Sequence, residues 1–160
     1  MIQAADFAGL LQRLSQKGVD FIVIGGVAAI AHGSSRLTQD IDVVYSRKVD
    51  NLERLVTALS DIHPYLRGAP PDLPFTFDVE TLRRGLNFTL VTDIGPIDLL
   101  GEIVGGGTYD ALLPHSDRLT LFEVDCQCLN LEALIKAKRA AGRPKDFETI
   151  AELELLLDED

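Results

Sequence analysis

The run Asp40-Ile41-Asp42-Val43-Val44 places two carboxylates at the start of an apolar stretch that reads as a strand. Residues i and i+2 of a strand share a face, so the spacing predicts that Asp40 and Asp42 project together while Ile41 and Val43 pack the other way. Sixteen aspartates in 160 residues would supply an Asp-x-Asp by chance, and Asp158-Glu159-Asp160 is one. The apolar setting distinguishes the first pair, because a carboxylate without a partner inside a sheet is costly. Asp98 repeats the situation between Pro96-Ile97 and Leu99-Leu100. Neighbouring carboxylates repel, and a hard cation that prefers oxygen, Mg²⁺ or Mn²⁺, removes the repulsion while sharing its remaining positions with substrate phosphates. If the two strands lie side by side, Asp40, Asp42 and Asp98 converge as ligands for one or two ions. The alternative is that each aspartate caps a turn or pairs with an arginine, Arg36 being near in sequence.

A phosphate also needs a place to rest. Gly25-Gly26 stands between a β-branched run and a helix-compatible one, where missing Cβ atoms let an anion approach the backbone; a plain tight turn would use the same residues. The pair is neither a Walker A loop nor the Gly-x-Gly-x-x-Gly fingerprint. Lys136, Lys138, Arg139, Arg143 and Lys145 place five of the chain's fifteen lysines and arginines within ten residues. Lys138, Arg143 or Lys145 would neutralise a triphosphate or an acceptor, or else complement a helix end. Arg36 would contact nucleotide or balance the aspartates. His32 would touch phosphate or satisfy a helix end; His63 and His115 belong to no constellation.

The elements that must position these groups follow from periodicity. Residues 6–17 form an amphipathic pattern with Phe7, Leu10, Leu11 and Leu14 on one face, ended by Gly18. Residues 19–24 read as a buried strand, 27–32 as a short helix closed at Gly33, 41–45 as a strand and 49–60 as a helix. Gly68 to Pro74 is a loop, and Asp78 caps a short helix through Arg84. Strands at 86–92 and 97–100 form a hairpin around Asp93-Ile94-Gly95-Pro96. Gly105-Gly106-Gly107 turns into a short helix at 109–113, and strands are expected at 119–124 and 126–129. Two helices, 131–141 and 145–157, are divided by Gly142-Arg143-Pro144. The order predicts an α/β (α+β) fold, a sheet covered by helices. One domain, 1–160, is expected, with the C-terminal helices 131–157 packed on it.

Composition narrows the classes. An apolar fraction of 46% and a charged fraction of 25% fit an ordinary globular chain. No apolar run is long enough to span a membrane, and Met1 to Asp6 lacks a basic region followed by an apolar core, so a cytoplasmic location is expected. The net charge of −10 opposes nonspecific coating of nucleic acid, although the basic cluster allows a local anion site. Cys126 and Cys128 stand two apart in an apolar stretch and read as buried thiols of a reducing compartment, since no further soft ligands stand at zinc spacing.

Ile24-Gly25-Gly26, thirteen intervening residues, Asp40-Ile41-Asp42-Val43 and the later Ile97-Asp98-Leu99 together resemble the signature of the DNA polymerase β-like nucleotidyltransferase superfamily. The longer strings Gly25 to Gly33 and Arg36 to Asp42 are similar to small bacterial nucleotidyltransferases related to the AbiEii-type toxins of abortive-infection systems. Lys138-Arg139-Ala140-Ala141-Gly142-Arg143-Pro144-Lys145-Asp146 resembles the C-terminal helical motif of that group, and the likeness runs from about Phe21 to Leu156. The resemblance implies the polymerase β-like fold, a mixed β-sheet flanked by helices, with Gly25 and Gly26 holding triphosphate, Asp40 and Asp42 binding metal, and Asp98 binding a second ion and helping to activate an attacking hydroxyl. Many superfamily members carry serine after the first glycine; Gly26 stands there instead, so a hydroxyl contact to phosphate must come from elsewhere, with Ser34 and Ser35 nearest in sequence.

Two functions follow. The first is a Mg²⁺-dependent nucleotidyltransferase moving a nucleoside monophosphate from an NTP, ATP included, to an acceptor hydroxyl on RNA such as tRNA, on protein or on a small molecule. Asp40, Asp42 and Asp98 would be catalytic and metal-binding, and Gly25, Gly26, Arg36 and Lys138 would bind nucleotide. The second is a non-catalytic nucleotide-binding or toxin–antitoxin interaction module with an antitoxin as partner. All three carboxylates favour the first; the short chain, with little outside the core to form an acceptor domain, favours the second.

Overall fold

The computed structural model describes residues 5–159. Met1 to Ala4, where the sequence was read for a leader, and Asp160 of the terminal acidic triplet lie outside them.

A seven-stranded mixed sheet forms the centre, with strand order β3-β4-β5-β2-β1-β9-β8. Its members are β1 (Phe21–Ile24), β2 (Ile41–Tyr45), β3 (Tyr65–Leu66), β4 (Asn87–Thr92), β5 (Gly95–Leu100), β8 (Ser116–Leu121) and β9 (Val124–Leu129); β6 (Glu102–Ile103) and β7 (Gly107–Thr108) make a separate ribbon. The pairs β2/β5 and β1/β9 are parallel, whereas β1/β2, β3/β4, β4/β5 and β8/β9 are antiparallel. The helices are α1 (Phe7–Gln16), α2 (Gly25–Ala31), α3 (Val49–Leu59), α4 (Val79–Arg84), α5 (Tyr109–Leu112), α6 (Leu131–Ala141) and α7 (Phe147–Asp158). Among the described residues no helix is long and apolar enough to cross a membrane.

The central strands are apolar on both faces because helices cover both. Ile22, Val23, Ile41, Val43, Val44, Ile97 and Leu99 are fully buried and join Leu10, Leu11 and Leu14 of α1 and Leu52, Leu55 and Leu59 of α3. Asp6 caps α1 by accepting from the Gly9 amide at 3.0 Å, which satisfies one of the donors left open at a helix start. The buried Asn51 of α3 donates to the carbonyls of Asp20 and Ser46 and accepts from the Asp20 amide. That side chain ties α3 to the ends of β1 and β2 remote from the cleft.

Several boundaries differ from the sequence reading. α2 begins at Gly25 rather than Val27, directly from the end of β1. The last hairpin turns at Phe122-Glu123, so Val124 belongs to β9 and the outer strand starts at Ser116. Both turn residues have positive φ, 50° and 68°, the geometry a two-residue hairpin demands. Neither is glycine or asparagine, so the sequence carries no turn signal there. The short strands β3, β6 and β7 have two residues each, too few to show any period. Cys126 and Cys128 are buried free thiols. Burial pushes them up to about 11 and about 12, which leaves both protonated and unreactive at neutral pH.

Candidate active site

A single row across the sheet builds the acidic centre. Ile24 of β1 pairs with Asp42 of β2, and Asp42 pairs with Asp98 of β5. Partners in register point to the same face, so the two aspartates lie side by side, and the chain leaving Ile24 delivers Gly25 against them. Asp40 sits one residue before β2 rather than within it, held by the Thr38 hydroxyl, which donates to the Asp40 carbonyl at 3.2 Å. One carboxylate oxygen from each of Asp40, Asp42 and Asp98 lies within 4.8 Å of the others.

Asp42 carries the greatest electrostatic load. Its Oδ1 is buried with no hydrogen-bond partner. Burial first, then the hydrogen-bonding contact with Asp98 and the charges of Asp40 and Asp98, push its carboxyl up to about 8, while Lys138 pulls the other way. Proximity of like charge and desolvation both disfavour the anion. An orphaned oxygen among three converging carboxylates fits a hard divalent cation, which would satisfy that oxygen and offset the repulsion.

The glycines are shaped to this centre. Gly25 has φ +69°, and a Cβ there would run into the Asp42 side chain, meeting its Cβ at 3.1 Å. A Cβ on Gly26 would meet Thr38 Cβ at 2.8 Å and Oγ1 at 2.7 Å. Any side chain at either position would fill the cradle beside the carboxylates.

The opposite wall comes from α6 and the turn after it. Lys138 approaches Asp146 Oδ1 at 3.6 Å, and Arg143 Nε donates to Asp146 Oδ2 at 2.7 Å. Asp146 is buried, and Gly142 at φ +63° ends α6 so that Arg143 folds back to reach it. Residues 138–146 were legible as a basic cluster; that one buried carboxylate aims two of its cations was not.

The centre lies where two lobes of one cleft meet, and Gly25, Asp42, Asp98, Lys138 and Arg143 line both. One lobe, of about 350 Å³, adds Gly26, Arg36, Thr38 and Lys145 and is rich in groups that bind anions. The other, of about 340 Å³, adds Ile24, Leu100, Ile103, Leu129, Leu134 and Ala137 and is largely apolar.

Other sequence candidates fall outside the centre. Arg36 does not balance the aspartates; it lines the polar lobe and pairs with Glu148 at 3.0 Å. Ser34 and Ser35 give their hydroxyls to Glu152 of α7 at 2.6 and 3.0 Å, which fastens that loop to the helix. The hydroxyl beside Gly26 belongs to Thr38 instead. His32 Nε2 is 2.8 Å from the Leu129 carbonyl, a structural bond between α2 and β9. The guanidinium that does meet the aspartates is that of Arg67, just after β3: Nη2 donates to Asp98 Oδ1 at 2.8 Å and Nη1 is 3.6 Å from Asp40 Oδ2. Nothing in the local sequence announces this, because the contact depends on the pairing of β3 with β4.

With this geometry in place, a family model described as "Nucleotidyl transferase AbiEii toxin, Type IV TA system" matches residues 9–147. The chain belongs to this family. The matched span of the AbiEii family model contains every residue of the acidic centre and of its cationic wall. A crystal structure at 1.87 Å resolution of a candidate nucleotidyltransferase from Thermotoga maritima superposes with a TM-score of 0.59 at 16% identity, covering 96% of this chain and 91% of that one. At this identity the likeness establishes the nucleotidyltransferase fold. Among curated proteins none matches the chain.

Proposed function

We propose that this AbiEii-family chain is a metal-dependent nucleotidyltransferase that moves a nucleoside monophosphate from an NTP to an acceptor hydroxyl. The observation that carries this reading is the convergence of Asp40, Asp42 and Asp98 within 4.8 Å around a buried, unpartnered carboxylate oxygen. Those three side chains would hold Mg²⁺ or Mn²⁺. A bound divalent ion supplies Lewis-acid stabilisation of charge at the reacting phosphate and lowers the pKa of a hydroxyl near it.

The chain's own residues do the rest. The nucleotide lies across the acidic centre with its β- and γ-phosphates in the polar lobe, against the backbone of Gly25 and Gly26, the Thr38 hydroxyl and the cations Arg36 and Lys145. Its nucleoside then falls in the apolar lobe, between the ends of β1, β5 and β9 and the face of α6. Lys138 and Arg143, held by Asp146, face the α-phosphate region and offset the charge that builds as pyrophosphate departs. The acceptor oxygen forms its bond to the α-phosphorus as the bond to the bridging oxygen breaks, and its proton passes to the carboxylates. Asp98, on a different strand from Asp42, orients that hydroxyl. NTP as substrate places the reaction in the cytoplasm, and membership of a toxin family points to an antitoxin as the counterpart in the cell.

The test combines calorimetry with ATP, CTP, GTP and UTP, with and without Mg²⁺, and labelling of a cell extract by each α-labelled NTP. Metal-dependent NTP binding and label in an RNA, protein or small-molecule fraction are expected. Tight NTP binding without pyrophosphate release from any extract would replace the enzyme with a nucleotide-binding module.

A further inference from the structure

Among the described residues Arg67 is the one cation in ion-pair contact with the acidic trio, and the fold fixes it firmly. Its backbone amide donates to the Thr89 carbonyl at 3.0 Å, and Nη2 donates both to the Leu90 carbonyl at 2.7 Å and to Asp98 Oδ1 at 2.8 Å. Nη1 reaches toward Asp40 Oδ2 at 3.6 Å. The side chain is only 24% exposed, and its Nε is buried with no partner. A guanidinium keeps its charge under all ordinary conditions, and its planar fork suits two carboxylates at once.

We propose that Arg67 is the resident counter-cation of Asp40 and Asp98, and that a divalent ion competes with its guanidinium for those carboxylates. The proposal rests on the reading of the trio as an ion site. In the metal-free protein Asp40 and Asp98 share this one guanidinium, with Asp42 beside them. An entering ion must either displace the guanidinium or sit close to it, and like charges at such separations in a partly buried site repel strongly. Arg67 therefore lowers ion affinity while holding the empty trio together. It acts through the aspartates and is a positioning residue.

The experiment is Mn²⁺ titration calorimetry on the full chain, with thermal melting of the metal-free protein, for wild type, Arg67→Gln and Arg67→Lys. Arg67→Gln is expected to bind Mn²⁺ about tenfold more tightly than wild type and to melt at a lower temperature without metal. Arg67→Lys keeps the charge but loses the fork that spans both carboxylates, so a smaller tightening of about threefold is expected; it carries the test if the glutamine variant does not fold. Unchanged or weaker Mn²⁺ binding in the folded variants overturns the competition and leaves the ion site standing. An absence of Mn²⁺ binding in wild type and in both variants overturns both.

Discussion

On the sheet wall of the cleft two of three clustered carboxylates, Asp40 and Asp98, share one guanidinium, whereas on the helical wall two cations, Lys138 and Arg143, share the single carboxylate of Asp146. The sheet wall is in negative excess and leaves Asp42 Oδ1 unpartnered; the helical wall is in positive excess and leaves its two charged tips aimed by a buried anchor. The contrast is the one the proposed function calls for, in which a cation would meet the sheet wall and a polyphosphate the helical wall. Each wall is incomplete alone, and together they describe what belongs between them.

The largest effect is expected where the sheet wall loses a charge. Asp98→Asn should lower nucleotide transfer by about a thousandfold, as removal of a charged group from the reacting centre does elsewhere, while circular dichroism shows the fold retained. Retained transfer would break the contrast between a reactive wall and a supporting one.

Burial of Asp42, together with its acidic neighbours, has a consequence for pH. The folded-state pKa of Asp42 is about 8 against an ordinary value of 3.8. A group whose folded pKa is raised contributes stability that is full below the unfolded pKa and is lost as pH rises through the folded one. The metal-free protein should therefore lose stability between about pH 4 and pH 8, and Asp42→Asn should flatten that slope in urea melts. A wild-type slope identical to that of the variant would contradict a raised Asp42 pKa in the folded protein.

On the helical wall the cost should appear in stability as well as binding. Asp146→Ala strands the Lys138 ammonium, whose side chain is 12% exposed, and should destabilise the fold by about 3 kcal/mol in denaturant melts. Gly25→Ala should cost about 2 kcal/mol, because φ is +69° and the methyl group meets Asp42; its Mn²⁺ binding should weaken in the same preparation. The smallest effect belongs to Arg36→Gln. Its partner Glu148 is exposed, so stability should change by no more than about 0.5 kcal/mol, and any weakening of NTP binding then reports contact with phosphate rather than a disturbed fold.

The two walls also differed in how openly the sequence displays them. Asp42 and Asp98 are legible because period-two geometry and an apolar setting make an isolated carboxylate conspicuous, and the parallel pairing of β2 with β5 places them in direct register. Gly25 is legible as punctuation between strand and helix. The strands and most helices follow from periodicity and caps, whereas the mixed pairing of the sheet follows only from the family resemblance. Arg67 and Asp146 are not legible in this way. Arg67 hangs on a two-residue strand whose pairing partner lies more than twenty positions away, and Asp146 looks like one more charge in a polar turn until α6 and α7 pack. Thr38 escapes notice because only the folded loop brings it against Gly26. Residues that act by tertiary contact leave no local period, and in this site those are the residues that orient the others.

The central claim is that Asp40, Asp42 and Asp98 hold the ion at which nucleotide is transferred. It is tested most directly by incubating wild type and Asp42→Asn with α-labelled NTP and the acceptor fraction of a cell extract, with Mg²⁺ or with chelator, and counting label transferred and pyrophosphate released. The account expects transfer by wild type with Mg²⁺ only, and none by Asp42→Asn under either condition. Equal transfer by the two proteins, or transfer that survives the chelator, would contradict it.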